Sequence, residues 1–290
     1  MTYPRVFNSA VVLPNGQVLV VGGQTFGRLF SDDNAVLAPE LWDPVTERFT
    51  TLSPMAVARN YHSVALLLPD ARVLAGGGGL CGTDCPANHP DVQILTPYYL
   101  LNADGTAAQR PVIRSAPGEA THGTSITVEA DDGVASFVLI RLSAITHAVN
   151  NDQRRIPLQF SSAAAGSYTL ALPGNPGVVL PGHYMLFALD ARGVPSISRT
   201  VRISGDAAPR LVNPGPQSSA SGSPVQLTLT ASTPSGNLVW GSSRLPPGLQ
   251  INATSGVIDG TPNTAGRYPI TLTVGNGFAT SSTRVLWQVN

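Results

Sequence analysis

Apolar and polar positions alternate in short runs along almost the whole chain. FNSAVVLPNGQVLVVGGQ and YHSVALLLPDARVLAGGGG each set two apolar runs on either side of a Pro-Asn-Gly or Pro-Asp-Ala-Arg turn, and glycines close the second run. Further on, SITVEA, ASFVLIRL, SYTLALP, YMLFALD and TVRISG are spaced by Gly, Pro and Asn turns, and VQLTLTAS, YPITLTVGNG and TRVLWQV continue the alternation after a short GDAAP connector. A period of two interrupted by turn residues predicts strands throughout and an all-β fold. No run approaches the ~18 apolar residues of a membrane span. The first residues lack a cationic stretch followed by a long apolar core, so the chain as written predicts no export signal.

The first two of these blocks are copies of one another at a spacing of about 56 residues. Each has an apolar strand, a turn, a glycine-closed strand and then a strand carrying Trp42 or Gln93. That is the kelch pattern of a β-propeller blade, and it predicts a partial propeller of two blades over residues 1–108. Two blades cannot close a propeller, so either the chain is the tail of a longer propeller or copies associate. Residues 109–205 read as one Ig-like β-sandwich and residues 209–290 as a second.

Composition narrows the chemistry. All 17 basic residues are arginine and 17 acidic residues balance them. Without lysine there is no phosphate-binding Walker A loop and no pyridoxal Schiff base. Zero net charge with scattered arginines argues against nucleic-acid binding by counterion release. There is no Gly-x-Ser-x-Gly elbow. The neighbouring carboxylates Asp32-Asp33 and Asp131-Asp132 read as solvated turns.

Two of the five histidines have unusual contexts. Tyr61-His62 opens a blade strand, where a polar end can face the propeller axis, and His147 lies in the polar turn of ITHAVNNDQRRIPL. On periodicity alone, a half-buried pair satisfied by backbone and a plain turn residue remain the alternatives. Two imidazoles with a phenolate suit Cu(II). Cys81, Cys85 and His89 recur every four residues, but structural zinc wants four ligands, which leaves a disulfide-closed loop as the better reading.

PRVFNSAVVLPNG, RNYHSVALLLPDARVLAGGGGLCG, TPYYL and THAVNNDQRRIPL together resemble the C-terminal part of galactose oxidase and its glyoxal-oxidase-like relatives, the copper radical oxidases. The resemblance covers about residues 3–204. It implies a copper ion held by Tyr61, His62 and His147, with Tyr61 also the catalytic base, and it implies Phe30 as an aromatic of the substrate pocket. Cys81 and Cys85 occupy the place of the family's local disulfide, with a longer spacing. The family's second tyrosine, cross-linked to a cysteine beneath a tryptophan, belongs to earlier blades and has no counterpart here. Oxidation of a primary alcohol, aldehyde or carbohydrate by O2 to give H2O2 moves two electrons, of which one copper couple supplies one. The resemblance therefore implies a secreted, extracellular oxidase of which residues 1–290 alone are inactive. LPPGLQINATSGVIDGTP resembles Ig-like modules of surface and secreted proteins and implies contact with a cell surface or polysaccharide. The rival expectations are a non-catalytic carbohydrate- or surface-binding β module, and a structural protein assembled from copies of this chain.

Overall fold

In the computed structural model, which describes residues 1–204, 208–233, 237–277 and 279–290, the chain is all-β apart from one 3-10 turn at Tyr98–Leu100. Most of the GDAAP connector lies outside the described residues. Two compact units form. The first takes Met1–Ala120, Ser125–Ala171 and Gly182–Ile203, and the second takes Thr121–Thr124, Leu172–Pro181 and Ser204–Asn290.

In the first unit the repeats make two small antiparallel meanders. β1 (Ser9–Val12), β2 (Val18–Val21), β3 (Glu40–Asp43) and β4 (Arg48–Thr51) form a four-stranded sheet in chain order. β5 (Ser63–Leu67), β6 (Val73–Gly77) and β7 (Val92–Leu95) form a three-stranded one. The first hairpin turns at Asn15-Gly16, where Gly16 has a φ of +96° that a side chain would resist. Glu40 of β3 is fully buried with Arg5, whose Nη2 lies 2.8 Å from Oε2, and the Thr2 amide donates to Oε1. Burial alone would raise the Glu40 carboxyl, but the hydrogen bonds from Thr2 and Arg5 hold it below its ordinary value.

Ten more strands follow: β8 (Ile113–Ser115), β9 (Glu119–Thr121), β10 (Ser125–Ala130), β11 (Ser136–Arg141), β12 (Ala144–Thr146), β13 (Val149–Asn151), β14 (Arg155–Ala164), β15 (Ser167–Ala171), β16 (Gly182–Leu189) and β17 (Arg199–Ser204). Eight of them make one sheet in the order β8-β10-β15-β14-β11-β16-β17-β9. β14 pairs β11 through Leu158 and β15 from Gln159 onward, so one strand turns the corner between two halves. β12 and β13 stand apart as a hairpin. One hydrophobic core runs from Val11, Leu19 and Val21 through Ala65, Val73 and Ala75 to Val138, Ile140, Met185 and Phe187. Tyr99 is buried in it with its hydroxyl on the Ala71 carbonyl, and burial pushes its phenol up.

The second unit holds β18 (Arg210–Leu211), β19 (Gln217–Ser219), β20 (Val225–Thr228), β21 (Ala231–Ser232), β22 (Val239–Ser243), β23 (Leu249–Ile251), β24 (Val257–Gly260), β25 (Gly266–Gly275) and β26 (Thr280–Val289). The sheets β19-β26-β25-β22 and β20-β24-β23 enclose Trp240, Ile258, Leu272 and Trp287. Among the described residues no helix is long and apolar enough to cross a membrane.

Candidate metal centre

The segment before β5 is held from both sides. Arg59, 1% exposed, donates to the Gly77 and Asp91 carbonyls and to the Asp91 carboxylate, and its own carbonyl accepts from Gly23 at 2.8 Å. The hydrogen bond from Arg59 lowers the Asp91 carboxyl. Asn60, also buried, donates to the Ser31 carbonyl and to Asp32. Tyr61 and His62 follow in a turn, not as the first residues of the strand. His62 has a φ of +66°, a left-handed conformation that costs an L-residue about 1–2 kcal/mol and swings the ring out of the strand's alternation. Its Nδ1 lies 2.6 Å from the Gly79 carbonyl, while the Gly79 amide donates to the Tyr61 carbonyl at 3.0 Å. A carbonyl can only accept, so Nδ1 donates, and in the neutral ring Nε2 is then the nitrogen left to bind a ligand.

His147 comes from a later stretch of the same unit. It is the first of two central residues in the β12–β13 hairpin, and both it and Ala148 have positive φ, +51° and +64°. This is a type I′ turn, built here without the usual Asn-Gly. The hairpin is pinned to β1 and β5, the first strands of the two meanders: Asn150 donates to the Ala10 and Ala65 carbonyls, Gln153 donates to the Ala10 carbonyl and accepts from the Val12 amide, and Ser9 donates to the Ala148 carbonyl. His147 Nδ1 lies 2.6 Å from the Thr146 hydroxyl.

These constraints bring the three rings together. Tyr61 and His62 centroids are 4.0 Å apart, His62 and His147 5.0 Å, and Tyr61 and His147 5.7 Å. With about 2.0 Å between metal and imidazole nitrogen, and about 1 Å more to the ring centre, two imidazoles on one ion stand at most about 6 Å apart. The 5.0 Å separation of His62 and His147 fits that bound. Among the described residues no group of three or more His, Cys, Asp or Glu side chains could hold a metal. The donor set is instead two imidazoles and a phenol, which suits Cu(II).

Phe30, with a φ of +56°, meets Tyr61 edge-on at 5.5 Å and His62 at 5.9 Å, and it is 43% exposed. Phe7, also left-handed, packs on Tyr61 at 5.2 Å and was not singled out from the sequence. Cys81 and Cys85 form a disulfide with a Cα–Cα distance of 5.6 Å in the loop after Gly79, outside the ring cluster. Asp33 faces outward to Arg28, and Asp32, its side chain 37% exposed, carries more than solvent: its Oδ2 lies 2.7 Å from His89 Nε2 and its Oδ1 accepts from Asn60. Asp32 thereby ties the Phe30 loop to the Tyr61 segment.

Comparison with known proteins shows what the chain is similar to. Residues 1–82 match the family described as Glyoxal oxidase N-terminus, residues 110–203 match Galactose oxidase-like, Early set domain, and residues 208–290 match Putative Ig domain. A galactose oxidase of Gibberella zeae is 44% identical over 203 residues, 70% of this chain and 30% of that protein. The chain is homologous to galactose oxidase. An aldehyde oxidase of Vitis pseudoreticulata is 32% identical over 222 residues, 70% of this chain and 42% of its own. A fungal alcohol oxidase of the AA5 family, solved in complex with copper, superposes with a TM-score of 0.69 at 47% identity, over 71% of this chain and 44% of that one. This galactose oxidase homologue thus spans less than half the length of each of these relatives.

Proposed function

We propose that residues 1–290 carry the copper-ligand part of an alcohol- or aldehyde-oxidising copper oxidase, with Tyr61, His62 and His147 as the metal ligands. The observation that carries this reading is the ring cluster, together with the His62 Nδ1 contact that leaves Nε2 for a ligand. Residues 1–108 serve as two kelch-type blades, residues 109–205 as the early-set sandwich that delivers His147, and residues 209–290 as an Ig-like module for surface or polysaccharide contact outside the cell. Copper held there would accept one electron of a two-electron oxidation and would lower the pKa of a bound alcohol. Tyr61, held as the phenolate, would take the alcohol proton at its Oη and become the neutral phenol. Phe30, exposed beside it, orients the substrate carbon chain and keeps water off that oxygen.

The whole oxidase converts a primary alcohol or aldehyde and O2 to the oxidised product and H2O2. Both cysteines of this chain are joined to each other, so neither offers a thiol for a cross-link to tyrosine. Residues 1–290 by themselves therefore bind copper without oxidase turnover. The test is calorimetric titration of Cu(II) into the purified chain and its His147→Ala and Tyr61→Phe variants, with a peroxide assay on the loaded protein. One ion per chain, bound at least about tenfold more weakly after His147→Ala and giving no peroxide, is expected. Binding indifferent to His147 would overturn the ligand assignment and favour a non-catalytic β module.

A further inference from the structure

Away from the ring cluster, the first unit has a cleft of about 310 Å³ lined by Arg110, Val112, Ile113, Ile197 and Arg199. Neither arginine has a carboxylate within ion-pair distance among the described residues. Arg110 donates from Nε and Nη2 to the Pro195 and Ser196 carbonyls, and Arg199 donates from Nε and Nη2 to the Ile113 and Arg114 carbonyls. Those bonds hold both guanidiniums in place and leave Nη1 of each without a protein partner among the described residues. The nearby carboxylates pair with other arginines, Asp131 with Arg114, Asp70 with Arg72 and Asp190 with Arg192, and Asp70 also attracts Arg110 from beyond ion-pair distance. Between the two cations stand apolar walls that water covers poorly, with Val112 53% and Ile197 62% exposed.

Carbonyl bonding alone would explain one arginine as a staple between β8 and the chain leading to β17. It does not explain two guanidiniums without an ion-pair partner on one apolar-walled cleft. We propose that this cleft binds a small carboxylic acid, its carboxylate on Arg110 and Arg199 and its apolar body against Val112, Ile113 and Ile197. Guanidinium forks match a carboxylate by geometry and charge. The volume sits at the lower end of ligand pockets, which sets the ligand at a few carbons or one ring. A free phosphate or sulfate would leave the apolar walls wet.

The test titrates sodium benzoate into the full chain at low ionic strength by calorimetry, with sodium phosphate as the second arm. Variants are Arg199→Gln and Arg199→Lys. Both variants alter the bonds to the Ile113 and Arg114 carbonyls, so circular dichroism and thermal unfolding check that each keeps the fold before binding is compared. Saturable one-to-one binding of benzoate is expected, weaker by about tenfold in Arg199→Gln and less affected in Arg199→Lys, with phosphate binding more weakly than benzoate. Absence of saturable benzoate binding overturns the proposal, as does benzoate affinity unchanged in Arg199→Gln. Phosphate binding as tightly as benzoate overturns the role of the apolar walls.

Discussion

Gly22 offers a direct way to disturb the metal centre without touching a ligand. It closes β2 at a φ of +69°, and a Cβ there would lie 2.0 Å from the Arg59 carbonyl oxygen and 2.9 Å from the Arg59 Cβ. Neither atom can yield cheaply, because Arg59 is fastened to Gly77 and Asp91 and its carbonyl accepts from Gly23. Gly22→Ala therefore pays the left-handed penalty of about 1–2 kcal/mol plus an overpacking term of about 1–3 kcal/mol. Gly105 separates the two terms, since its φ is +82° but a Cβ there would meet nothing within 4 Å. Gly105→Ala should lose only the first term. For a domain of this size each kcal/mol shifts Tm by about 2–4 °C, so Gly22→Ala should melt about 4–20 °C below the wild type and clearly below Gly105→Ala. Because the strain is relieved by moving the Arg59–Tyr61 segment, Gly22→Ala should also weaken Cu(II) binding, whereas Gly105→Ala should not. Thermal unfolding of the metal-free proteins, followed by Cu(II) titration of each, measures both effects. Equal melting of the two variants, with equal copper affinity, would refute the claim that Gly22 sets the position of Tyr61 and His62.

Other perturbations follow from the same geometry. Glu40→Gln leaves Arg5 buried without a counter-charge and should cost about 3–5 kcal/mol at neutral pH. Since the folded Glu40 carboxyl titrates below its unfolded value of about 4.3, that contribution is present above about pH 4–5 and is lost as pH falls through the folded pKa, so denaturant midpoints of wild type and variant should converge in acid. His147→Gly removes the left-handed penalty of about 1–2 kcal/mol against a glycine entropy cost of about 0.5–1 kcal/mol. The metal-free variant should be as stable as the wild type or slightly more so while copper affinity falls, and a marked drop in Tm would contradict the turn assignment. Replacing Cys81 and Cys85 by serine removes a short covalent loop worth about 2 kcal/mol. Copper affinity should survive, because Asn88 still holds the Leu80 and Cys81 amides and Tyr61 still holds Gly79.

How much of this was legible in the sequence depends on what each position asks of the chain. Strands were legible because alternation and turn residues report them directly, as in SAVV and VLVV around Pro-Asn-Gly. Tyr61, His62 and His147 stand out by their sequence contexts, but their role as one ligand set comes only through the resemblance, since their meeting depends on backbone that no local pattern encodes. His147-Ala148 forms a type I′ turn with no Asn-Gly to announce it, and His62, Phe7 and Phe30 are all left-handed residues that carry no glycine signal. Tertiary bonds from Ser9, Asn150 and Gln153 stabilise that strain. The bond of Asp32 to a histidine 57 positions away is not legible for a related reason, because it is decided by packing between the loops.

The central claim is that Tyr61, His62 and His147 share one copper ion. Electron paramagnetic resonance of the Cu(II)-loaded chain tests it most directly, read alongside the visible absorption of the same sample. The account predicts hyperfine coupling to two imidazole nitrogens, reduced to one in either His62→Ala or His147→Ala, and a phenolate-to-copper absorption band that disappears in Tyr61→Phe. Nitrogen coupling that persists unchanged through both histidine substitutions would contradict it.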